Sequence, residues 1–415
     1  MPRKMKESGV EWLGQIPEGW GLGRIGALYS LRNEKVSDKD FPPLSVTMKG
    51  IVPQLETAAK TDDGDNRKLV RKGDFAINSR SDRRGSCGIS AYDGSVSLIN
   101  TILTPRGAMS PAYYNWLFHT TSFADEFYKW GHGIVDDLWT TRWDDMKRIA
   151  IPTPPYSEQE RIAAFLDERC AKIDGMIAEA KASIEDYKKW KQSIIFEAVT
   201  GKHEKNLKPS GVDWIGDVPE GWKVCRIVNL YSEVSERGND ELPILSVSIN
   251  TGVSDKELSE EEQERVFLRS EDRTKYKRVQ PGDLTYNMMR AWQGAFGAVR
   301  VDGMVSPAYV VARPKVDMDS RYVEYLLRTP NATEEMKRFS HGITDFRLRL
   351  YWPEFKDIKI PCPNVKEQKQ IADYIDEKCA AIDKLVGEKE SLIADLEAYK
   401  KSLIFETVTG KREVA

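Results

Sequence analysis

The feature that most constrains the fold of this 415-residue chain is an internal repeat, because its second half restates its first. Residues 8–20 read SGVEWLGQIPEGW, and residues 210–222 read SGVDWIGDVPEGW. Later in each half, PYSEQERIAAFLDERCAKID (155–174) matches PNVKEQKQIADYIDEKCAAID (363–383), and KKWKQSIIFEAVTGK (188–202) matches EAYKKSLIFETVTGK (397–411). The period is far longer than that of solenoid repeats, so the pattern predicts a tandem duplication of a domain followed by a helix.

Between these blocks the two copies diverge, and only short landmarks survive. Gly73-Asp74 matches Gly282-Asp283, Ser110-Pro-Ala-Tyr matches Ser306-Pro-Ala-Tyr, and His132-Gly-Ile matches His341-Gly-Ile. Each copy is therefore expected to hold a variable globular part before a well-kept segment.

The well-kept segment has the pattern of a long helix. Pro152, Pro154 and Pro155 exclude helix before it, and Ser157 with Glu160 predicts a capping box at its start. Apolar or small residues then recur at steps of three and four, which is the spacing of a coiled-coil seam. The seam positions are Leu166, Cys170, Ile173, Ile177, Ala180, Ile184, Tyr187, Ile194 and Ala198 in the first copy, and Ile375, Cys379, Ile382, Val386, Ile393, Leu396 and Leu403 in the second. Lys191 interrupts the first seam, and Lys389 and Lys400 interrupt the second.

Both helices end at Thr-Gly-Lys, where Gly201 and Gly410 suit the position after a helix end. Two such helices in one chain can bury their stripes against each other, so we expect an antiparallel pair and a long molecule with pseudo-two-fold symmetry. The predicted fold class is α+β, with strands at 44–47, 75–78 and 245–248 and helical stretches at 113–128 and 321–339. We expect a first domain at 1–155 followed by a coiled-coil helix at 156–202, and a second domain at 203–364 followed by a coiled-coil helix at 365–415.

Composition narrows the class of protein. Net charge is −3, hydrophobic residues make up 40% and charged residues 31%, and no apolar run reaches the roughly 20 residues that span a bilayer. The five cysteines form no CxxC pair, which argues against a zinc site or a disulfide framework and fits a reducing cytoplasm. We therefore expect a cytoplasmic protein without a membrane partner.

Motifs for catalysis are weak. Thr153-Pro-Pro-Tyr156 resembles the Asn/Asp-Pro-Pro-Tyr motif of amino-methyltransferases, but Thr153 is a poor substitute and a turn before a helix is favoured. Val-Thr-Gly-Lys lacks the upstream glycine of a P-loop. His132 and His341 have no ligand partners at useful spacing, so a turn or core histidine is favoured over a DNA-facing one. The chain is predicted not to be an enzyme, with no catalytic, cofactor or metal site.

The local distribution of charge favours DNA binding over catalysis. Residues 67–84 carry a net charge of +5 and residues 265–278 one of +4, one cluster in each globular part. Downstream of each Gly-Asp, a glycine-containing loop keeps its frame (Asn78, Gly85, Gly88 against Asn287, Gly294, Gly297) and changes the side chains between. Lysine and arginine bind phosphates, arginine pairs with guanine, and glutamine or asparagine with adenine. The candidate DNA-binding residues are Lys68, Arg71, Asn78, Arg80, Arg83, Arg84, Thr140, Thr141 and Arg142, and Arg273, Lys275, Lys277, Asn287, Arg290, Trp292, Gln293, Arg347, Arg349 and Tyr351. A solvated charged face and a neutral β-hairpin turn remain the alternatives.

Taken together, the doubled Trp-Leu/Ile-Gly-x-Ile/Val-Pro-Glu-Gly-Trp phrase, the Gly-Asp with its glycine loop and the Ile-Pro-x-Pro…Glu-Gln…Ile-Ala…Asp helix starts resemble the specificity subunit of type I restriction–modification systems. The resemblance covers nearly the whole chain. It implies two target recognition domains that each read half of a bipartite, asymmetric site in double-stranded DNA, and helices that set the spacer. It also implies two modification subunits that use S-adenosylmethionine for adenine-N6 methylation, and restriction subunits that use ATP and Mg, with no cofactor in this chain.

Two other functions remain open from sequence. A rod-shaped protein–protein scaffold without DNA function would make the basic clusters incidental. A self-sufficient methyltransferase would require this chain to bind S-adenosylmethionine itself. The repeated phrase is interpreted as a boundary marker whose tryptophans and prolines (Pro17 and Pro219) dock each domain entrance against a helix end.

Overall fold

The computed structural model describes residues 3–54, 63–80, 83–134, 139–239, 241–258, 273–342 and 348–414. The chain forms two compact units. Unit 1 comprises residues 1–181 and 390–415, and unit 2 comprises residues 182–389. Both units mix short strands with helices, and two long helices each contribute one segment to either unit, so the predicted α+β fold class is confirmed. Among the described residues, no helix combines the length and the apolar character needed to cross a membrane.

In its described residues, unit 1 is built mainly from short antiparallel strands, two helices of eight and nine residues, and two single-turn helices of four residues. Its elements are β1 (Met5–Glu7), β2 (Gln15–Pro17), β3 (Gly21–Arg24), α1 (Ile25–Leu28), β4 (Tyr29–Arg32), β5 (Lys35–Val36), β6 (Leu44–Thr47), β7 (Gly50–Pro53), β8 (Arg67–Val70), β9 (Phe75–Asn78), β10 (Cys87–Ile89), β11 (Gly94–Val96), β12 (Asn100–Pro105), α2 (Pro111–Phe118), α3 (Thr121–Lys129), α4 (Trp143–Met146), β13 (Ala150–Thr153) and the start of α5 (Tyr156–Thr200).

The central sheet of unit 1 has the strand order β10-β9-β12-β4, and a second sheet has the order β11-β8-β5. Strand β9 is buried along its whole length, because its Phe75 packs with Tyr29 and Phe118 in an aromatic core. Helix α3 begins at its N-cap Thr120, whose hydroxyl accepts from Phe123 N, and Phe123 fills the same core. The buried strand β9 therefore fixes where the loop after Asn78 leaves the domain.

Unit 2 repeats this plan. Its elements are β14 (Leu207–Pro209), β15 (Asp217–Pro219), β16 (Lys223–Arg226), α6 (Ile227–Leu230), β17 (Tyr231–Val234), β18 (Val247–Ser248), β19 (Gly252–Val253), β20 (Lys277–Val279), β21 (Leu284–Asn287), β22 (Phe296–Ala298), β23 (Gly303–Val305), β24 (Tyr309–Pro314), α7 (Ser320–Leu327), α8 (Pro330–Phe339), α9 (Trp352–Phe355), β25 (Lys359–Cys362) and the start of α10 (Val365–Val408). Single 3-10 turns lie at Arg273–Lys275 and Ala291–Gln293.

The sheet of unit 2, β17-β24-β21-β22, matches β4-β12-β9-β10 of unit 1 strand for strand. One predicted landmark is wrong. Ser110 is the N-cap of α2, whereas Ser306 precedes strand β24, so the two Ser-Pro-Ala-Tyr stretches are not equivalent. The structural counterpart of Ser110 is Asp319, the N-cap of α7. The two stretches share four residues but occupy different elements, a helix start in unit 1 and the segment before a strand in unit 2.

The long helices pair as predicted from their seams. Leu166, Cys170 and Leu403 are buried together in unit 1, and Ala198, Ile375 and Cys379 are buried together in unit 2. The start of each helix thus packs against the end of the other, which is an antiparallel arrangement. Two of the three interrupting lysines serve this pairing, because Lys400 Nζ lies 2.6 Å from Asp174 Oδ1 and Lys191 Nζ lies 2.7 Å from Asp383 Oδ1.

The predicted capping box at Ser157 is wrong. Helix α5 already begins at Tyr156, so Ser157 lies inside its first turn, and the counterpart of the N-cap Asn364 is Pro155. Proline has no N–H to donate, so a reciprocal box cannot form there. In unit 2 the box exists, because Glu367 N donates to Asn364 Oδ1 and Asn364 N donates to Glu367 Oε2.

The helix ends are predicted correctly. Gly201 and Gly410 follow α5 and α10 with φ of 68° and 73°, a conformation that favours glycine. A Cβ on Gly201 would lie 2.6 Å from Pro219 Cδ and 3.0 Å from Trp222, and a Cβ on Gly410 would lie 2.6 Å from Pro17 Cδ. The repeated phrase therefore docks against the helix end in each unit, as predicted for Pro17 and Pro219.

The retained Gly-Asp landmark closes a turn and anchors an ion pair. The buried carboxylates of Asp74 and Asp283 accept from the backbone N–H three residues earlier. Asp74 pairs with Arg32 of β4, but Asp283 pairs with Arg313 of β24. The position of Arg313 is held by Thr104 in unit 1, which donates to Asp74 from 3.0 Å. These bonds raise the pKa of both guanidinium groups.

Candidate nucleic-acid interface

The loop between β9 and β10 connects adjacent antiparallel strands, as does the loop between β21 and β22. Each begins with a buried asparagine whose side-chain oxygen accepts from the backbone two residues on, Arg80 N in unit 1 and Met289 N in unit 2. Gly85 and Gly294 take φ of 73° and 90°, which explains why glycine recurs there. The frame of the loop is thus a hairpin connection, and the side chains upon it are free to differ.

A second segment joins this loop through the same backbone contacts in both units. Thr141 N donates to Ser79 O at 3.0 Å, and Leu350 N donates to Met288 O at 2.9 Å. The backbone of His132 pairs with that of Thr140, and His341 pairs with Arg349 in the same way. We call these combined surfaces the reading edge of unit 1 (78–80, 83–85, 131–134 and 139–142) and the reading edge of unit 2 (287–294, 341–342 and 348–351).

The reading edge of unit 1 is dominated by arginine. Arg80, Arg83, Arg84 and Arg142 are exposed on it. The Arg84 guanidinium lies over the Tyr128 ring, 3.7 Å from the ring centre, and its Nη1 is 3.2 Å from Asp125 Oδ1. Four of the predicted DNA-binding arginines are therefore brought together on one edge.

The reading edge of unit 2 has a different chemistry on the same frame. Gln293, Arg349 and Tyr351 are exposed, and Arg290 and Trp292 are half-buried. Lys337 of α8 lies over the Trp292 ring, with Nζ 5.8 Å from its centre. This edge carries fewer cations and more aromatic and amide surface than the edge of unit 1.

Several predicted site residues are engaged within the fold. Asn78 and Asn287 are 5% exposed, and Thr141 is 2% exposed with its hydroxyl donating to Phe127 O. Lys68 Nζ donates to Asn100 O and Lys277 Nζ donates to Tyr309 O, both at 2.7 Å. Burial lowers the pKa of both lysines. These residues are engaged in contacts within the fold, and the half-buried Thr140 pairs through its backbone with His132.

Other predicted residues lie apart from the edges. Arg71 is at the opposite end of β9, roughly 10 Å along the strand, where it stacks over Phe41 and pairs with Asp93. Arg273 is held by Glu257 at 3.0 Å and by Leu242 O, and Lys275 is exposed beside it. Arg347 and the basic residues Arg265 and Arg269 lie outside the described residues.

Sequence reasoning missed the helical partners of the edges. Tyr128 and Lys337 occupy equivalent positions of α3 and α8 and hold the loop in each unit. It also placed the histidines in a turn or core, and the core alternative is wrong, because their side chains are 74% and 68% exposed, with Nε2 3.6 Å from Asp145 and from Glu354. A constant spacing of 209 residues relates Tyr128 to Lys337 and Asp145 to Glu354. That spacing was the signal that could have found these partners.

The similarity of this chain to known proteins indicates which kind of protein has two such reading edges. No family model matches the chain. It is 27% identical over 291 residues to the type I restriction enzyme MjaVIII specificity subunit of Methanocaldococcus jannaschii, covering 65% of this chain and 63% of that protein. It is 22% identical over 277 residues to the EcoBI specificity subunit of Escherichia coli, covering 63% and 58%.

The chain is similar to type I specificity subunits. The resemblance drawn from its motifs is thereby confirmed, although the matched regions span less than two thirds of these relatives. Solved structures agree at the level of the fold. The HsdS subunit from Thermoanaerobacter tengcongensis aligns over 96% of this chain and 98% of its own, with a TM-score of 0.56 and 16% identity. A chain from a study of complex assembly and conformational transition of the type I R-M system aligns over 95% and 98%, with a TM-score of 0.69 and 15% identity.

Proposed function

We propose that this chain is the non-catalytic, sequence-specific DNA-binding subunit of a type I restriction–modification complex. The observation that carries the proposal is the pair of reading edges, built by the same backbone contacts (Thr141 N to Ser79 O, Leu350 N to Met288 O) and bearing different exposed side chains. Two edges with the same backbone frame and different exposed side chains suit the recognition of two different half-sites.

The exposed side chains fit the two tasks that DNA recognition requires. Arg80, Arg83, Arg84 and Arg142 give unit 1 cations for phosphates and forked donors for guanine. In unit 2, Gln293 can pair with adenine, and Arg290 and Arg349 can supply phosphate or guanine contacts. The proposed target is therefore bipartite and asymmetric, with the antiparallel helices α5 and α10 setting the unread spacer.

The partners follow from the same proposal. Two modification subunits would bind S-adenosylmethionine and methylate adenine N6, and restriction subunits would use ATP and Mg. Their docking on the well-kept helices accounts for the strong sequence match between α5 and α10, which exceeds the match between the two globular parts.

The test uses the chain assembled with its modification subunits. Reversing three charges on one edge (Arg80→Glu, Arg83→Glu and Arg84→Glu) should abolish binding and methylation of the cognate duplex while the complex stays assembled. A control with equal charge change in the same unit (Arg24→Glu, Arg71→Glu and Lys72→Glu) should retain site-selective methylation. Unchanged methylation in the first variant would favour a scaffold without DNA function, and S-adenosylmethionine binding by the isolated chain in calorimetry would favour a methyltransferase.

A further inference from the structure

A groove of about 700 Å³ opens in unit 2, where the end of α5, the start of α10 and the repeated phrase meet. Four carboxylates and two aromatic rings line it, those of Glu197, Glu204, Glu220, Glu367, Trp222 and Tyr374. His203 is the sole basic residue among the lining residues. A groove with this lining is suited to a cation that also has a flat face.

Unit 1 holds the equivalent site with an occupant. Trp20 and Glu158 correspond to Trp222 and Glu367, and the guanidinium of Arg3 lies against both. Arg3 Nη1 is 2.6 Å from Glu158 Oε1, and its central carbon is 5.1 Å from the centre of the Trp20 ring. Trp20 Nε1 donates to Glu158 Oε2 at 2.9 Å, so ring and carboxylate form one receptor for the guanidinium.

The second carboxylate of the unit 1 site is also neutralised from within. Glu406, the counterpart of Glu197, pairs with Arg412 at 3.0 Å. In unit 2 the position of Arg412 is taken by His203, whose Nε2 is 3.5 Å from Glu204. Glu197 accepts from the uncharged Ser193 hydroxyl at 2.8 Å, as Glu406 does from Ser402, but it forms no ion pair with a described residue. The groove of unit 2 therefore lacks a counterpart of the Arg412 guanidinium.

The unit 2 receptor is open in consequence. Lys205, the counterpart of Arg3, is exposed and is not among the lining residues. Glu367 turns to the backbone and side-chain amide of Asn364. Within the described part of the chain, Trp222 Nε1 donates to no acceptor, whereas the indole of Trp20 does. An incoming guanidinium would find the equivalent ring face and, once Glu367 turns away from Asn364, the carboxylate equivalent to the one that Arg3 uses in unit 1.

We propose that this groove binds an arginine side chain of a partner protein, with its guanidinium between Trp222 and Glu367. Arginine is favoured over lysine because its planar fork matches a carboxylate and stacks on an indole ring. The inference rests on the proposed function only in that the partner is another subunit of the complex.

The groove can be tested in the full chain with tryptophan indoles labelled with ¹⁵N and the Trp222 signal assigned through Trp222→Phe. The probe acetyl-Ala-Arg-Ala-amide should shift the Trp222 indole signal, and acetyl-Ala-Gln-Ala-amide should leave it in place. Glu367→Gln should weaken the arginine peptide about tenfold, as expected for loss of a charge-assisted hydrogen bond. No shift, or equal shifts with both peptides, would overturn the proposal.

Arg3→Ala supplies a matched control, since it empties the unit 1 site. The arginine peptide should then shift the Trp20 indole as well, which it should not do in the unmodified chain. Once modification subunits are bound, the peptide should no longer reach Trp222; a Trp222 signal that still responds would show that no partner arginine occupies the groove. These measurements contain no DNA, so their failure is distinguishable from failure of the reading-edge variants.

Discussion

The Arg84 guanidinium lies 3.7 Å from the centre of the Tyr128 ring, fixing the reading edge of unit 1 to helix α3. Unit 2 makes the corresponding contact with the roles exchanged, because its loop supplies the ring of Trp292 and its helix supplies the cation of Lys337. Exposed cation–π contacts are worth about 0.5–1 kcal/mol. Each unit therefore holds its loop by similar chemistry while presenting a different surface outward.

Replacing Arg84 should affect DNA binding far more than replacing Arg71. Both arginines are exposed, stack on an aromatic ring and pair with an aspartate, but Arg84 alone lies on a reading edge. We expect Arg84→Ala to cost about 1–3 kcal/mol in cognate binding or to lower the salt slope by about one, and Arg71→Ala to do neither. Fluorescence titration of the assembled complex over a range of salt concentrations measures both, and equal losses would contradict the assignment.

Lys277 should make stability depend on pH in the alkaline range. Burial lowers its pKa in the folded chain below the ordinary lysine value of 10.5. At a pH between the lowered pKa of the folded chain and the ordinary value of 10.5, Lys277 binds more protons in the unfolded chain. Its contribution to the unfolding free energy therefore rises with pH. Urea unfolding of the wild type and Lys277→Met should show their difference shifting toward the wild type as pH approaches about 10.5. Lys68→Met should behave alike in unit 1, and a pH-independent difference would refute the burial argument.

The sequence predicted best where one local rule decides the outcome. Gly201 and Gly410 marked the helix ends because a left-handed residue there favours glycine, and Lys191 and Lys400 stood out as breaks in an otherwise regular seam. It failed where the outcome depends on partners distant in sequence. No residue close to Lys68 in sequence indicates that its ammonium donates to Asn100 O, 32 residues further along the chain. Likewise, no residue close to Arg84 indicates that its guanidinium stacks on Tyr128.

Replacement by alanine should have opposite effects on stability at Gly175, inside a helix, and at Gly410, just after a helix end. Gly175 lies inside α5, where an added Cβ would meet nothing within 4 Å, so Gly175→Ala should stabilise unit 1 by about 0.5–1 kcal/mol. Gly410→Ala should destabilise the same unit by more than about 1 kcal/mol, because the left-handed φ is strained and the Cβ would collide with Pro17. Thermal unfolding of both variants separates them, and a shift of the same sign would argue against the docked helix end.

The seam lysines should contribute specificity more than stability. Lys191 is 31% exposed and Asp383 61%, so their pair is expected to contribute about 0.2–1 kcal/mol. Lys191→Asp should destabilise unit 2, and adding Asp383→Lys should restore part of the loss. A double-mutant cycle by chemical unfolding gives the coupling, and additive effects would show that the pair is incidental. Lys191→Leu should raise stability by completing the apolar stripe.

The Asp74 and Asp283 ion pairs bear on how such domains can be exchanged between proteins. The carboxylate stays at one place, but its arginine comes from β4 in unit 1 and from β24 in unit 2. A chimaera joined between those two strands would leave one buried aspartate without a guanidinium, or crowd two guanidiniums around another. A graft that takes both of these strands from one parent keeps the guanidinium matched to its aspartate, which favours joining such domains outside the central sheet.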